Sequence, residues 1–229
     1  MKKVAIVQSS YIPWKGYFDI INSVEEFILL DSVQYTKRDW RSRNRVKGPN
    51  GLQWLSVPVA VKGKYSQAID EVQVLDQSWR RKHWNTLAHC YGKAPYFKQY
   101  APAFKALYLE GVEPSLSRIN QGFIQLINEM LGIGTVISRD RDYQLYEGST
   151  QRLVELCRQA GGSTYLSGPS AGSYLDALCF EQAGIELAWV DYSDYPEYHQ
   201  PFPPFEHGVS IVDLLFNEGP DASNYLKSF

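Results

Sequence analysis

The chain has 229 residues, 44% hydrophobic and 21% charged, which is enough to bury a substantial core; no run approaches the ~20 apolar residues of a membrane helix, so the composition argues against a membrane-spanning or disordered protein. Its formal charge of −2 conceals a split, because residues 1–158 carry 22 Lys and Arg against 15 Asp and Glu, whereas residues 159–226 carry none against 10. Positive charge concentrated in one loop and a helix start of a nearly neutral chain disfavours a broad nucleic-acid face and fits a compact anionic small-molecule substrate.

In the amino-terminal MKKVAIVQSS the apolar stretch is shorter than the ~7–15 residues of a signal-peptide core. It is therefore expected to be a buried strand over Val4–Gln8 of a cytoplasmic protein. A proline-bearing loop, Ser9–Lys15, precedes a helix-like stretch, Gly16–Val24, and a second apolar run, Phe27–Asp31, which together predict a β-loop-α-β unit. The basic connector TKRDWRSRNRVKGPNG is expected to be a loop, followed by a strand over Trp54–Val59 and another over Ala68–Leu75. Helices are predicted over Gln77–Tyr91, Tyr96–Glu110 and Glu113–Leu131, the last with Leu116, Ile119, Phe123, Ile127 and Met130 in helical spacing. Alternation then resumes. A strand over Gly134–Ser138 leads to a helix capped by Ser149 and stopped at Gly161-Gly162, then a short strand at Thr164-Tyr-Leu, a helix over Gly172–Ala183 and a last strand over Ile185–Val190. A proline-aromatic loop over Tyr195–Phe205 and a helix over Ser210–Phe216 close the chain. Strands that recur after helices imply a mostly parallel sheet covered on both faces. The expected fold is thus α/β, three-layer and Rossmann-like, one domain over residues 1–229 with a central helical elaboration at about 77–131. The cysteines Cys90, Cys157 and Cys179 lie in helix-like segments without a C-x-x-C pair and read as core residues.

Ligands of open parallel sheets lie outside the carboxyl ends of the strands. Two loops have that address. In the first, Gly16 permits close backbone approach while Gln8, Tyr11, Lys15 and Tyr17 supply polar tips. In the second, Arg38, Arg43 and Asn44 suit a phosphate or carboxylate, and Asp31 and Gln34 suit a hydroxyl or amine, with Asp31 a candidate general base. His83 is the best acid/base candidate among four histidines, with Lys82 beside it; no pair has helical zinc spacing, and no metal is expected. Gly168-Pro-Ser170-Ala-Gly172 matches G-x-S-x-G, but it comes late in the chain and lacks an oxyanion segment. The simpler reading is an anion-holding turn using Ser167 and Gly168. The proline-aromatic loop is expected either to bring Tyr198 and Gln200 to the ligand as a lid or to strap the core.

The segments QSSYIPWKGYFDII, ILLDSVQYTKRDWRSRNRVKG and WLSVPV together resemble the opening of the WbqC-like protein family. The resemblance continues through Trp79, Lys82 and His83, YGKAPYF, TYLSG, Tyr174-Leu-Asp, Tyr198, Gln200 and SIVDLLFNEG, nearly the whole chain. It implies tailoring of a sugar or related small molecule in surface-polysaccharide metabolism, including O-antigen. A more distant similarity is to the nucleotidylyltransferase and pantothenate synthetase fold, whose first loop carries H-x-G-H. Those positions here read Trp14-Lys15-Gly16-Tyr17, without the imidazoles that would stabilise phosphate charge. The function expected on both grounds is transfer of an acyl or aminoacyl group to an amine of a sugar or nucleotide-sugar. In that reading Asp31 or His83 takes the amine proton, and the donor is borne by a small-molecule or acyl-carrier-protein partner. The alternatives are an ATP-dependent amide ligase and a non-catalytic ligand-binding protein.

Overall fold

The computed structural model describes every residue except 174. Five parallel strands form the sheet: β1 (Lys3–Val7), β2 (Glu26–Leu29), β5 (Val136–Arg139), β6 (Thr164–Ser167) and β7 (Glu186–Trp189), in the order β5-β2-β1-β6-β7. The middle strand β1 registers Val4 against Glu26 on one side and Tyr165 on the other. Its residues are buried on both faces, and period-two alternation sorts them between two cores. Ala5, with Phe27 and Leu29 of β2, faces a core that includes helix α1 (Lys15–Asn22). Val4 and Ile6, with Ile28, face the other core, built on α5 (Ser149–Gln159) and α6 (Ala177–Gln182). The result is the three-layer, Rossmann-like architecture expected of strands that alternate with helices.

Between β2 and β5 the chain inserts an antiparallel hairpin, β3 (Arg43–Gly48) with β4 (Gly51–Ser56), and the helices α2 (Ser78–Tyr91), α3 (Phe97–Leu109) and α4 (Leu116–Leu131). The insertion is therefore wider than the helices alone. The basic connector, expected to be a loop, supplies β3, because its charges alternate with residues that bury: Asn44 and Val46 turn inward while Arg43 and Arg45 face outward. Gly51, at φ 87°, turns the hairpin in the left-handed region open to glycine. In place of a strand over Ala68–Leu75 there are isolated bridges, such as Gln34 with Ala68, and a single turn at Ile69–Glu71. Helix α4 is capped by the Ser115 side chain and closed by Gly132 at φ 72°. Gly148, at φ 84°, precedes α5 where Ser149 was expected, so Ser149 is the first helical residue. The helix expected over 172–183 divides into a 3-10 turn, Pro169–Ser173, and α6 capped by Asp176; Tyr174 lies outside the described residues. Helix α7 (Ile211–Glu218) packs against the insertion. No helix among the described residues is long and apolar enough to cross a membrane.

Candidate functional site

The strand order reverses direction between β1 and β6, so the carboxyl ends of these two strands diverge toward opposite connections and leave a crevice. A cavity of about 260 Å³ occupies that position, lined by Gln8 beyond β1, Leu30 beyond β2, Ser167, Gly168 and Ser170 around the end of β6, and Arg41. It shares Val7 and Arg41 with a cavity of about 440 Å³ walled by Trp14, Tyr17, Trp40, Asn44 and Arg45. It shares Gln8, Leu30 and Leu153 with a third, of about 400 Å³, at the amino end of α5, where Gly148, Ser149 and Arg152 line it. Arg41, Arg45 and Arg152 thus face adjoining cavities, and no carboxylate is among the described residues lining any of the three. The charged side chains lining these cavities, among the described residues, are all cationic.

Local hydrogen bonding fixes this geometry. The Tyr11 N–H donates to the Trp40 carbonyl at 2.9 Å, and Asn120 Nδ2 donates to the Arg41 carbonyl at 2.9 Å and to Ser9 Oγ at 3.1 Å. The backbone of Arg41 is thereby tied to the β1–α1 loop, and Arg41 Nη1 donates to Ser10 Oγ at 3.2 Å. Ile12 holds a positive φ of 36°, which is strained for a β-branched residue. Asn44 Nδ2 offsets that cost by donating to the carbonyls of Tyr11 and Ile12 at 3.1 and 2.9 Å. Asn44 is thus both a wall of the larger cavity and the brace of the loop. The Gln8 side chain has no hydrogen-bond partner among the described residues, while its carbonyl accepts from Tyr17 Oη at 3.1 Å.

Gly16 has a steric role. A Cβ there would stand 2.4 Å from Cζ2 of Trp14, whose ring walls the 440 Å³ cavity and packs on Tyr192 at 5.1 Å. Gly16→Ala is expected to cost about 1–3 kcal/mol by overpacking. It should also displace Trp14, seen as a shifted tryptophan emission spectrum together with a lowered melting temperature.

The residues singled out from the sequence divide into three groups. Gln8, Tyr17, Asn44, Ser167 and Gly168 come together on the carboxyl-edge cavities. Arg38 and Arg43 line a different cavity, and Arg41, one pleat away from Arg43, takes the position expected of it. The remainder line none of these cavities. Asp31 is buried and accepts from the Ser9 N–H at 2.9 Å and from Ser117 Oγ; burial raises its carboxyl above the usual range, and these hydrogen bonds oppose the rise. Its carboxylate anchors the loop where a proton acceptor was expected. His83 lies in the core of the insertion, bonded through Nδ1 to Tyr11 Oη at 2.8 Å, and Tyr11 Oη also meets Tyr108 Oη at 2.6 Å. Tyr11 is accordingly spent inside the protein, and Lys82 is exposed on the solvent side of α2. Gln34 is exposed and donates to the Tyr65 carbonyl at 3.0 Å. Lys15 is buried against the rings of Tyr195 and Tyr198 and donates to the Pro196 carbonyl at 2.9 Å; burial pulls its ammonium down to about 8.

The proline-aromatic segment straps the core. Tyr198 and Gln200 turn inward to Asp213, and the chain on either side of them lends Tyr192 and Gly208 to the cavity walls. Ser170 of the G-x-S-x-G match lines the switch-point cavity, but no histidine is among the described residues there, so a serine triad is not assembled. Trp40, a candidate stacking residue by its sequence context, does line the larger cavity, and Arg41, Arg45, Arg152, Trp14 and Tyr192 line the cavities without being among the candidate site residues.

The match to known proteins runs the length of the chain. It is 48% identical over 227 residues, covering 99% of the chain and 98% of the relative, to the uncharacterized protein Rv1507c of Mycobacterium tuberculosis (strain ATCC 25618 / H37Rv). No solved structure matches it significantly. The model of the WbqC-like protein family matches residues 8–225, from the side chain that opens the switch-point cavity to the last turn of the fold, and the protein belongs to that family.

Proposed function

We propose that the protein is a small-molecule transferase that holds an anionic, activated donor at the switch point and joins its acyl or aminoacyl group to an amine of a sugar or nucleotide-sugar, in surface-polysaccharide or related metabolism. One observation carries the reading: three arginines and no carboxylate line the adjoining cavities at the carboxyl ends of β1, β2 and β6, among the described residues. Anionic groups of the donor lie against Arg41 and Arg152, and a ring lies between the indoles of Trp14 and Trp40. The resemblance to a family linked with surface-glycan genes supports the choice of substrate class.

No histidine or carboxylate lines these cavities among the described residues, so the cleft supplies positioning and electrostatic stabilisation rather than a built-in general base. That chemistry suits a donor that is already activated. The amine nitrogen attacks the acyl carbon, the bond to the leaving group breaks, and the leaving group departs as an anion stabilised by Arg41. The surplus ammonium proton passes to solvent.

The experiment is a thermal-shift and mass-spectrometric screen of nucleotides, nucleotide-sugars and acyl carriers, with each stabilising ligand then offered an amine acceptor. Arg41→Gln is expected to weaken the binding of such a ligand about tenfold to a hundredfold, the range for loss of a hydrogen bond to a charged group. Equal stabilisation of wild type and variant would remove Arg41 and this cleft from the reading. Turnover that consumes ATP and releases pyrophosphate would replace transferase with amide ligase, and tight binding with no product from any donor would replace it with a non-catalytic binding protein.

A further inference from the structure

A cavity of about 450 Å³ beside the β3–β4 hairpin shares no lining residue with the three at the carboxyl edge. We propose that it is a separate binding site for a phosphomonoester carrying a short apolar arm. Lys37, Arg38 and Arg43 line it, no carboxylate does so among the described residues, and none of the three cations forms an ion pair there. The nearby Asp39 is turned away, accepting from the Trp40 N–H at 2.7 Å and lying 3.4 Å from Arg41 Nη2.

Arg43 is preorganised. Its guanidinium carbon stands 4.2 Å from the centroid of the Trp54 ring, and its Nε is buried without a hydrogen-bond partner. Stacking fixes the plane of the guanidinium while its donors stay uncommitted, the arrangement that favours two-point binding of a phosphate. Arg38 holds a positive φ of 59°, a conformation strained for a non-glycine residue, and it presents a second cation at the same cavity. The rest of the lining is largely apolar. Val57, Val59 and Val61 fall at alternate positions of an extended segment and line the cavity together. Tyr35 Oη and Ser42 Oγ satisfy each other at 2.7 Å, so the polar floor demands nothing further from a ligand. Cations and valines lining one cavity select an anionic head joined to an apolar body. This site goes beyond the transferase reading and does not depend on it.

The test is calorimetric titration of the full chain with inorganic phosphate and with n-pentyl phosphate. Pentyl phosphate is expected to bind several-fold more tightly than phosphate, and Val59→Ser should reduce that preference. Arg43→Gln should weaken pentyl phosphate about tenfold or more. Arg38→Gly should also weaken it while raising the melting temperature, because glycine accepts the positive φ without strain; a merely structural Arg38 would not lose affinity as it gained stability. Arg152→Gln should leave pentyl phosphate binding unchanged, which separates this site from the switch point. Absence of saturable binding, affinity unchanged in both Arg43→Gln and Arg38→Gly, or affinity that falls with Arg152→Gln overturns the proposal.

Discussion

Asp213→Ala is expected to destabilise the protein by about 3–5 kcal/mol, the range for removing one partner of a buried charged network. Asp213 lies in α7 with 1% of its surface exposed, and burial raises its carboxyl above the ordinary range while its hydrogen bonds pull the other way. Its Oδ2 accepts from Tyr91 Oη at 2.8 Å, and its Oδ1 accepts from Tyr198 Oη at 2.8 Å and Gln200 Nε2 at 3.0 Å. Tyr91 in turn accepts from the Lys47 N–H at 3.0 Å, and Gln200 Oε1 accepts from Lys47 Nζ at 2.8 Å. One carboxylate therefore joins α7, α2, strand β3 and the proline-aromatic strap. Alanine leaves two buried phenols without their acceptor, each costing on the order of 1–3 kcal/mol if nothing rearranges, whereas Gln200 Nε2 keeps the Glu206 carbonyl at 3.0 Å. Against a total stability of about 5–15 kcal/mol for a typical domain, that is a large fraction. Asp213→Asn, which keeps one acceptor oxygen and the shape, should lose clearly less. Urea denaturation of both variants is the measurement, and a loss below about 1 kcal/mol for alanine would show that the network does not hold the strap.

The second large effect is a pH dependence located at His83. Burial pulls its imidazole from 6.5 down to about 4, and a hydrogen bond to the Ser56 backbone opposes the shift. In the unfolded chain His83 takes a proton near pH 6.5, while in the folded chain it stays neutral until about 4, so across that window the unfolded state binds the extra proton. Stability contributed by this group is complete above pH 6.5, falls as the pH falls, and is fully lost below about 4. The loss amounts to about 2 kcal/mol by pH 5. The structure shows why the neutral form is favoured: Tyr11, Trp79 and Tyr108 surround the ring, with ring centroids 5.1–6.4 Å away. His83→Gln is expected to lower stability at pH 7 and to flatten the slope between pH 7 and 5. Identical slopes in wild type and variant would assign the pH dependence to other groups.

Legibility differed from element to element for physical reasons. The strands of the parallel sheet are buried on both faces and read as short apolar runs, so Val4–Gln8, Phe27–Asp31 and Thr164-Tyr-Leu were expected within a few residues of where they lie. Helix α4 announced itself through Leu116, Ile119, Phe123 and Ile127 on one buried face. Strand β3 did not, because four cationic side chains in Arg41–Lys47 outweigh Val46 in any reading by composition. Only the pairing of Arg45 with Trp54 and of Val46 with Gln53 shows that alternate residues bury. Arg41 lies in the turn before β3 begins at Arg43, and the two side chains enter different cavities.

By itself, the sequence determined the alternating α/β order, the three-layer class and the family. These depend on local periodicity and on which residues must avoid water, and both are written residue by residue. Tertiary structure alone decided which polar side chains remain available. Asp31, His83, Tyr11, Tyr198 and Gln200 look chemically competent in one dimension, but each is consumed by a partner 13 to 97 residues away, such as Gln200 by Asp213 and Tyr11 by Tyr108. A buried polar group must be hydrogen-bonded, and the partner that satisfies it is chosen by packing, which no local pattern encodes.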